Sequence, residues 1–211
     1  MIPAPTVSIW PRPVRVQGMS ITVFQNVTLD GVMQSPGRGD EDTRGGFTHG
    51  GWAYGYQDEV SMSFAAEGMS QGGALLFGRR TYEDLLGFWT AFDQPNPFTD
   101  VLSSAKKFVV SRSPGTTVAY PNTEVLVGEA VETVAALKAS GTDGLTILGS
   151  GELIHALHAA RLIEHYTLQI HPIVLGSGTK LFVEDERADL ALTRSLTTTT
   201  GVIIAQYTVS G

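Results

Sequence analysis

The chain has 211 residues, 42% of them hydrophobic and 17% charged, with 24 glycines, no cysteine and a net charge of −7. That length and apolar content suit one sizeable core in a single domain and exclude a disordered chain. With 14 Lys and Arg against 21 Asp and Glu, nucleic acid is excluded as the main partner; the lack of cysteine excludes disulfides and thiolate zinc sites and fits a cytoplasmic protein.

Residues 1–18 hold four prolines and two arginines but no continuous apolar segment. They read as an N-terminal extension or leader rather than a signal peptide, with Met19 as an alternative start, and the domain proper as 19–211. No window approaches 18 uninterrupted apolar residues, so no bilayer span is expected. Ser20–Val27 is rich in β-branched and aromatic residues and ends at the turn Leu29-Asp30-Gly31, which predicts a first strand. Gln34–Gly55 is glycine-heavy, contains Phe47 and Trp52, and shows no sustained period; a functional or mobile loop is expected, with Asp40-Glu41-Asp42 at a solvated tip. From Asp58 to Met69, Val60, Phe64, Ala65 and Met69 fit one helical face.

Gly73–Gly78 is a short apolar run that predicts a buried strand feeding a helix over Arg79–Leu86. Strands follow at Lys107–Ser111 and Glu124–Val127, then a helix at Glu129–Ala139. Leu145–Leu148 enters Gly149-Ser150-Gly151, and Glu152–Ala160 continues with Leu153, Ile154 and Leu157 at helical spacing, a second strand, glycine turn and helix. Tyr166–Ile170, Leu190–Thr193 and Val202–Val209 are strands without a long helix between them. The pattern predicts an α/β fold of three layers, a mixed and mostly parallel sheet with helices on both faces and an antiparallel hairpin at its end.

Two turns thus place glycine where a strand ends and a helix begins, where free backbone N–H groups and a partial positive charge attract an anion. At Gly78-Arg79-Arg80-Thr81 the glycine permits close approach, Thr81 supplies a hydroxyl and an arginine can pair with phosphate, although such turns favour these residues anyway. Gly149-Ser150-Gly151 lacks the full spacing of the dinucleotide fingerprint and gains weight only beside the first turn. Trp52, Tyr54 and Tyr56 can wall a planar substrate or pin their loop to the core. His155, His158, His165 and His171 lack the spacing of a metal site and read as ordinary histidines.

The series Gly-Arg-Arg-Thr-Tyr-Glu (78–83), Phe-Val-Val-Ser-Arg (108–112) and Ile-Leu-Gly-Ser-Gly-Glu-Leu (147–153) resembles, in order and spacing, the dihydrofolate reductases and their relatives. It is most similar to the reductase domain of bifunctional riboflavin biosynthesis enzymes and to that domain's single-domain bacterial homologues. The opening strand with its Leu-Asp-Gly and the run Pro172–Gly178 extend the resemblance over roughly residues 19–211. It implies a dihydrofolate-reductase-like fold and an NADPH-dependent oxidoreductase that transfers a hydride to a small planar heterocycle or a carbonyl or imine compound, as 5-amino-6-(5-phosphoribosylamino)uracil reductases do. A binding homologue without turnover and a dihydrofolate reductase are the alternatives.

By the same resemblance Gly78, Arg79, Arg80 and Thr81 meet the pyrophosphate and the 2′-phosphate side, and Ser111 and Arg112 complete the 2′-phosphate pocket. Leu148, Gly149, Ser150, Gly151, Glu152 and Leu153 line the other side of the pyrophosphate, with Val27 and Asp30 near the nicotinamide. Trp52 and Tyr56 are expected at the substrate. Dihydrofolate reductases carry an acid on the first helix; here the corresponding count lands near Met62, leaving Asp58 as the candidate proton donor, or else as a helix cap. A homodimer through the C-terminal strands is implied, with a small-molecule substrate, no metal and no membrane partner.

Overall fold

The computed structural model describes residues 19–70, 72–91, 96–141 and 143–210, so the expected extension at 1–18 lies outside the described residues. In chain order the elements are β1 (Ile21–Thr28), α1 (Glu59–Ser70), β2 (Ala74–Gly78), α2 (Arg79–Thr90), α3 (Pro97–Ser104), β3 (Lys107–Ser111) and β4 (Thr123–Val127). They continue with α4 (Ala130–Ser140), β5 (Leu145–Leu148), α5 (Gly151–Ala159), β6 (His165–His171), β7 (Asp189–Thr197) and β8 (Ile203–Ser210). One eight-stranded sheet results, in the order β4-β3-β2-β5-β1-β6-β8-β7. Its first six strands are parallel, and β8 and β7 join antiparallel. The fold is the expected α/β architecture.

Alternation along single strands separates the two helical layers. Leu75 and Phe77 of β2 pack with Tyr82 and Leu86 of α2 and Leu102 of α3, whereas Ala74 and Leu76 pack with Val134 of α4 and Leu153, Ile154 and Leu157 of α5. Helix α3 was not expected from the sequence, yet it carries a plain start signal: the Asn96 side chain accepts from Phe98 N–H at 2.8 Å and Pro97 opens the helix. Its end is held by Lys107. That side chain is fully buried, and its ammonium donates to the carbonyls of Leu102 and Ala105, each at 2.7 Å.

The glycine-rich segment after β1 folds around its own small core of Val32, Phe47, Trp52 and Ala53, joined by Ile173 and Leu175. Gly178 is required there, because at φ 114 a Cβ would come within 2.8 Å of Val32 and 2.7 Å of Phe47. The expected solvated acidic tip is corrected in detail. Asp40 is exposed, but the Glu41 carboxylate accepts from the N–H groups of Gly37 and Arg38, and Asp42 pairs with Arg44 at 2.6 Å. Desolvation of Glu41 raises its pKa, although those two N–H groups oppose the shift. Arg38 reaches Asp84 of α2 at 2.6 Å and Arg44 reaches Glu152 of α5 at 2.8 Å, so the segment is strapped to helices from both layers. Among the described residues, no helix is long and apolar enough to cross a membrane.

Candidate active site

Six parallel strands end on one edge of the sheet, and the chain leaves β1 and β5 in opposite senses. β1 leads through α1 to β2 on one side, while β5, inserted between β2 and β1, leads through α5 across β1 to β6. The crevice at such a switch point is where open α/β sheets bind ligands. The register of β1 with β5 stops at Phe24–Leu148, so Gln25 and Asn26 extend past the end of β5.

Both glycine turns lie beside this crevice, in direct contact. The Gly78 N–H donates to Ser150 Oγ at 2.9 Å. Gly149 and Ser150 are both left-handed, at φ 62 and 66; at Gly149 a Cβ would come within 3.1 Å of Thr81 Cγ2, so a side chain there meets both a backbone and a steric obstacle. Neither α2 nor α5 has a side-chain cap on its first N–H groups, since Gly78 has no side chain and Ser150 Oγ is committed to Gly78. One Glu152 oxygen accepts from Arg80 at 3.2 Å and Arg44 at 2.8 Å. Two uncapped helix starts and two arginines drawn to a single carboxylate form a cradle that suits phosphate oxygens.

From this cradle a cavity of about 1090 Å³ runs between α1 and α2 under the glycine-rich segment. Of the residues expected at the cofactor, Arg80, Thr81, Leu148, Gly149, Ser150, Gly151 and Glu152 line it. Gly78 and Arg79 stand just behind, with Arg79 paired to Glu83 at 2.7 Å. Ser111 ends β3 at the same sheet edge and Arg112 follows it; neither lines the cavity. Ser111 Oγ shares a 2.6 Å bond with Thr116 Oγ1, and Arg112 is exposed without an ion-pair partner among the described residues. Leu153 and Val27 are core residues on the α4–α5 side and do not line the cavity. Asp30 lies away from it too. Its carboxylate accepts from Thr28 Oγ1 and from the N–H groups of Leu175 and Gly176, which hold its pKa down at about 2 and tie the first turn to the 172–178 run.

The substrate-side expectations divide. Tyr56 lines the cavity. Trp52 is buried behind the cavity wall, its indole N–H donated to the Gln34 carbonyl at 2.7 Å. Asp58 does not face this cavity but caps α1. Its Oδ1 accepts from Ser61 N–H and Ser61 Oγ accepts from Asp58 N–H, while Oδ2 takes the N–H and hydroxyl of Thr199. Those bonds, the Ser61 N–H first, hold its pKa at about 2, so it is an ionised cap rather than a proton donor. The α1 residues that do face the cavity are Ser61, Met62 and Ala65.

The far wall is built by Phe24 and Asn26 of β1 and Gln169 and His171 of β6, of which only His171 stands out in the sequence, and there as an ordinary histidine. Parallel pairing sets Asn26 opposite Gln169 and Thr28 opposite His171. His171 is 3% exposed, and the rings of Trp52 and Tyr56 each stand nearly perpendicular to its own, with centroids 5.2 Å away. Desolvation lowers its pKa to about 4, so it is neutral near pH 7. Its Nε2 is 3.0 Å from Asn26 Oδ1, which can only accept; Nε2 therefore carries the hydrogen and Nδ1 is a bare acceptor, buried without a partner. A further buried acceptor without a partner is Gln25 Oε1. Polar residues in mid-strand on a central, doubly covered strand were the available signal. The other histidines serve separate contacts, His155 with the Lys180 carbonyl, His158 with Tyr166 and His165 with Thr208.

A family profile described as RibD C-terminal domain matches residues 19–204, and the chain belongs to that family. Over 150 residues it is 28% identical to the uncharacterized protein YyaP of Bacillus subtilis (strain 168), covering 68% of this chain and 77% of that protein. The crystal structure of a putative riboflavin biosynthesis protein from a Shewanella species superposes with a TM-score of 0.66 at 25% identity, covering 92% of this chain and all (100%) of that one. Dihydrofolate reductase from Enterococcus faecalis, complexed with NADP(H), shares the fold at a TM-score of 0.55 and 12% identity, over 91% of this chain and 96% of that one.

Proposed function

We propose that this member of the RibD C-terminal domain family is an NADPH-dependent reductase that delivers a hydride to a small planar heterocycle or a carbonyl or imine compound. Family membership supports an oxidoreductase. The observation that carries the finer reading is the contact between the two glycine turns, Gly78 N–H on Ser150 Oγ, beside a cavity of about 1090 Å³ that Ser150 itself lines. When bound, the dinucleotide supplies the hydride. Arg80, Thr81 and the N–H groups that open α5 would hold its pyrophosphate, with Arg80 released from Glu152. Arg79 and Arg112 would favour a 2′-phosphate. Phe24, Asn26, Gln169 and His171 would bound the space for the acceptor, beneath the strapped glycine-rich segment.

NADPH fluorescence titration tests the root of this reading, and absence of binding by NADPH and NADP⁺ would overturn it. Arg112→Ala should weaken NADPH roughly ten- to hundredfold, as expected for one charge-assisted contact, and leave NADH nearly unchanged; equal losses for both would refute the 2′-phosphate assignment. A second reading, a dinucleotide-binding homologue without turnover, is favoured by one observation. On α1 the cavity meets Ser61, Met62 and Ala65 rather than a carboxylate. Steady-state NADPH oxidation against pyrimidinone, pteridine and flavin panels separates the two. Assembly as a homodimer through β7 and β8, where Leu192 and Ile203 are exposed, is part of the same proposal and is tested by size exclusion.

A further inference from the structure

We infer that Arg44 of the glycine-rich segment is a ligand to the dinucleotide's pyrophosphate, and that Glu152 holds the place of that diphosphate until it arrives. Cofactor binding then exchanges the tie between the segment and α5 instead of breaking it. The inference rests on the reductase reading and adds to it one ligand and one internal competitor. Its first support is the way Arg44 is presented. The guanidinium sets Nε and Nη2 on the two oxygens of Asp42, at 2.8 and 2.6 Å, which leaves Nη1 to reach Glu152 Oε1 at 2.8 Å. Behind it the backbone is fixed by Gln34, a buried side chain whose Nε2 donates to the carbonyls of Asp42 and Arg44 and whose Oε1 accepts the N–H and hydroxyl of Thr179. Phe47, three residues on, is anchored in the segment's own core. An arginine oriented by a carboxylate and carried on a fixed turn loses little freedom when it takes up an anion.

The second support is what Nη1 meets. Arg80 Nη1 of α2 approaches the same Glu152 oxygen at 3.2 Å, so cations from two separate elements converge on one acceptor, in a cavity that Thr81, Gly149, Ser150 and Gly151 also line. Glu152 stands in the first turn of α5 with its side chain 77% exposed, against 54% for Arg44 and 72% for Arg80. Ion pairs this open to water contribute little, so turning the carboxylate out to solvent costs little. A pyrophosphate brings more charge and more acceptor oxygens than the shared Oε1, and can take both guanidiniums in charge-assisted bonds. With Glu152 in place, Arg44, Arg80, Asp42 and Glu152 form a neutral group, two charges of each sign; with Glu152 turned out, a net +1 faces the phosphate. The segment's other charges are engaged elsewhere. Arg38 is held by Asp40 at 3.1 Å and Asp84 at 2.6 Å, and Glu41 accepts from the Gly37 and Arg38 N–H groups.

Calorimetric titration of the full chain with NADP⁺, NAD⁺ and inorganic pyrophosphate tests this. Arg44→Ala should weaken all three about tenfold, and the two dinucleotides equally, because the pyrophosphate is common to both. Glu152→Ala removes the competitor at an exposed helical position that alanine suits, and should tighten all three about threefold. A strap that only held the segment would make both variants act in one direction; opposite signs are the mark of exchange. Tryptic cleavage after Arg44, followed by mass spectrometry, reads the tie itself. Without ligand, Glu152→Ala should be cut there severalfold faster than the parent chain, and NADP⁺ or pyrophosphate should restore the slow rate. Unchanged affinities in Arg44→Ala, a loss confined to NADP⁺, weakened or unchanged binding in Glu152→Ala, or no protection of the Arg44 bond by a bound ligand would each overturn the inference. If pyrophosphate binds with these variant effects and neither dinucleotide does, the reductase reading is lost and the roles of Arg44 and Glu152 stand. If the dinucleotides bind and the variants are silent, the inference alone is lost, and if none of the three binds at millimolar concentration, both are.

Discussion

Replacing Ser150 by alanine probes the joint between the two glycine turns. Ser150 Oγ is the acceptor for the Gly78 N–H at 2.9 Å, and the serine itself is 9% exposed. Removing the oxygen loses one hydrogen bond and leaves a half-buried N–H unsatisfied, together about 2 kcal/mol. Alanine retains the left-handed backbone of residue 150, at φ 66 and ψ 55, whereas glycine releases strain of roughly 1 kcal/mol. For a chain of this size each kcal/mol moves Tm by about 2–4 °C. Ser150→Ala should therefore lower Tm by roughly 4–8 °C and Ser150→Gly by about half as much. Both should weaken NADPH about tenfold, because the N–H groups at the start of α5 lose their fixed relation to Arg80 and Thr81. Scanning calorimetry and NADPH fluorescence titration read the two effects. An alanine variant with unchanged Tm and NADPH affinity would refute the joint, and a glycine variant less stable than the alanine one would refute the strain argument.

Asp58→Asn should destabilise the protein without removing any limb of the pH–rate profile for NADPH oxidation, since the carboxylate caps α1; loss of a limb would restore Asp58 as a proton donor. The pKa of Asp58 falls from 3.8 to about 2 on folding, so its stabilising contribution is complete above pH 3.8 and is lost as pH falls toward 2. Urea midpoints across that range should flatten in the variant. For His171 the folded value is depressed from 6.5 to about 4, so the unfolded chain binds more protons in between. Stability should then decline as pH drops from 6.5 toward 4, and that component of the decline should vanish in His171→Phe; an unchanged slope would place the imidazole in a wetter setting than the fold gives it. Lys107→Met keeps most of the buried stem but abandons the carbonyls that end α3, and about 2 kcal/mol should be lost in urea denaturation. A gain in stability would mean that burying the ammonium costs more than its bonds return.

Both glycine turns were legible because their signals are local. A short apolar run followed by glycine, and then by helical spacing, marks the end of a strand and the start of a helix wherever it occurs. Helix α3 carries an equally local start signal in Asn96-Pro97, though at eight residues it is too short for a long apolar stripe. Asp58 and Ser61 likewise carried the spacing of a capping box, and the structure uses them as one. The family resemblance implied Val27 and Asp30 near the nicotinamide, and the structure turns both away from the cavity. The period of two turns Val27 into the α4–α5 core, and the Asp30 carboxylate is taken by two N–H groups of the 172–178 run.

The far wall of the cavity was not legible, because nothing local ties Asn26 to His171, which stand 145 residues apart and meet only through the β1–β6 register. The burial of Trp52 behind that histidine and the double use of Glu152 by Arg44 and Arg80 are invisible for the same reason. The order of the elements other than α3, and the two turns, follow from residue patterns read along the chain, since backbone preference and amphipathic spacing act over a few residues, while the family follows from the resemblance of short motifs in their order. Which side chains face one another across the crevice, and hence the charge and hydrogen-bonding character offered to a substrate, is decided by strand register and crossover. Those depend on packing the whole sheet between its two helical layers.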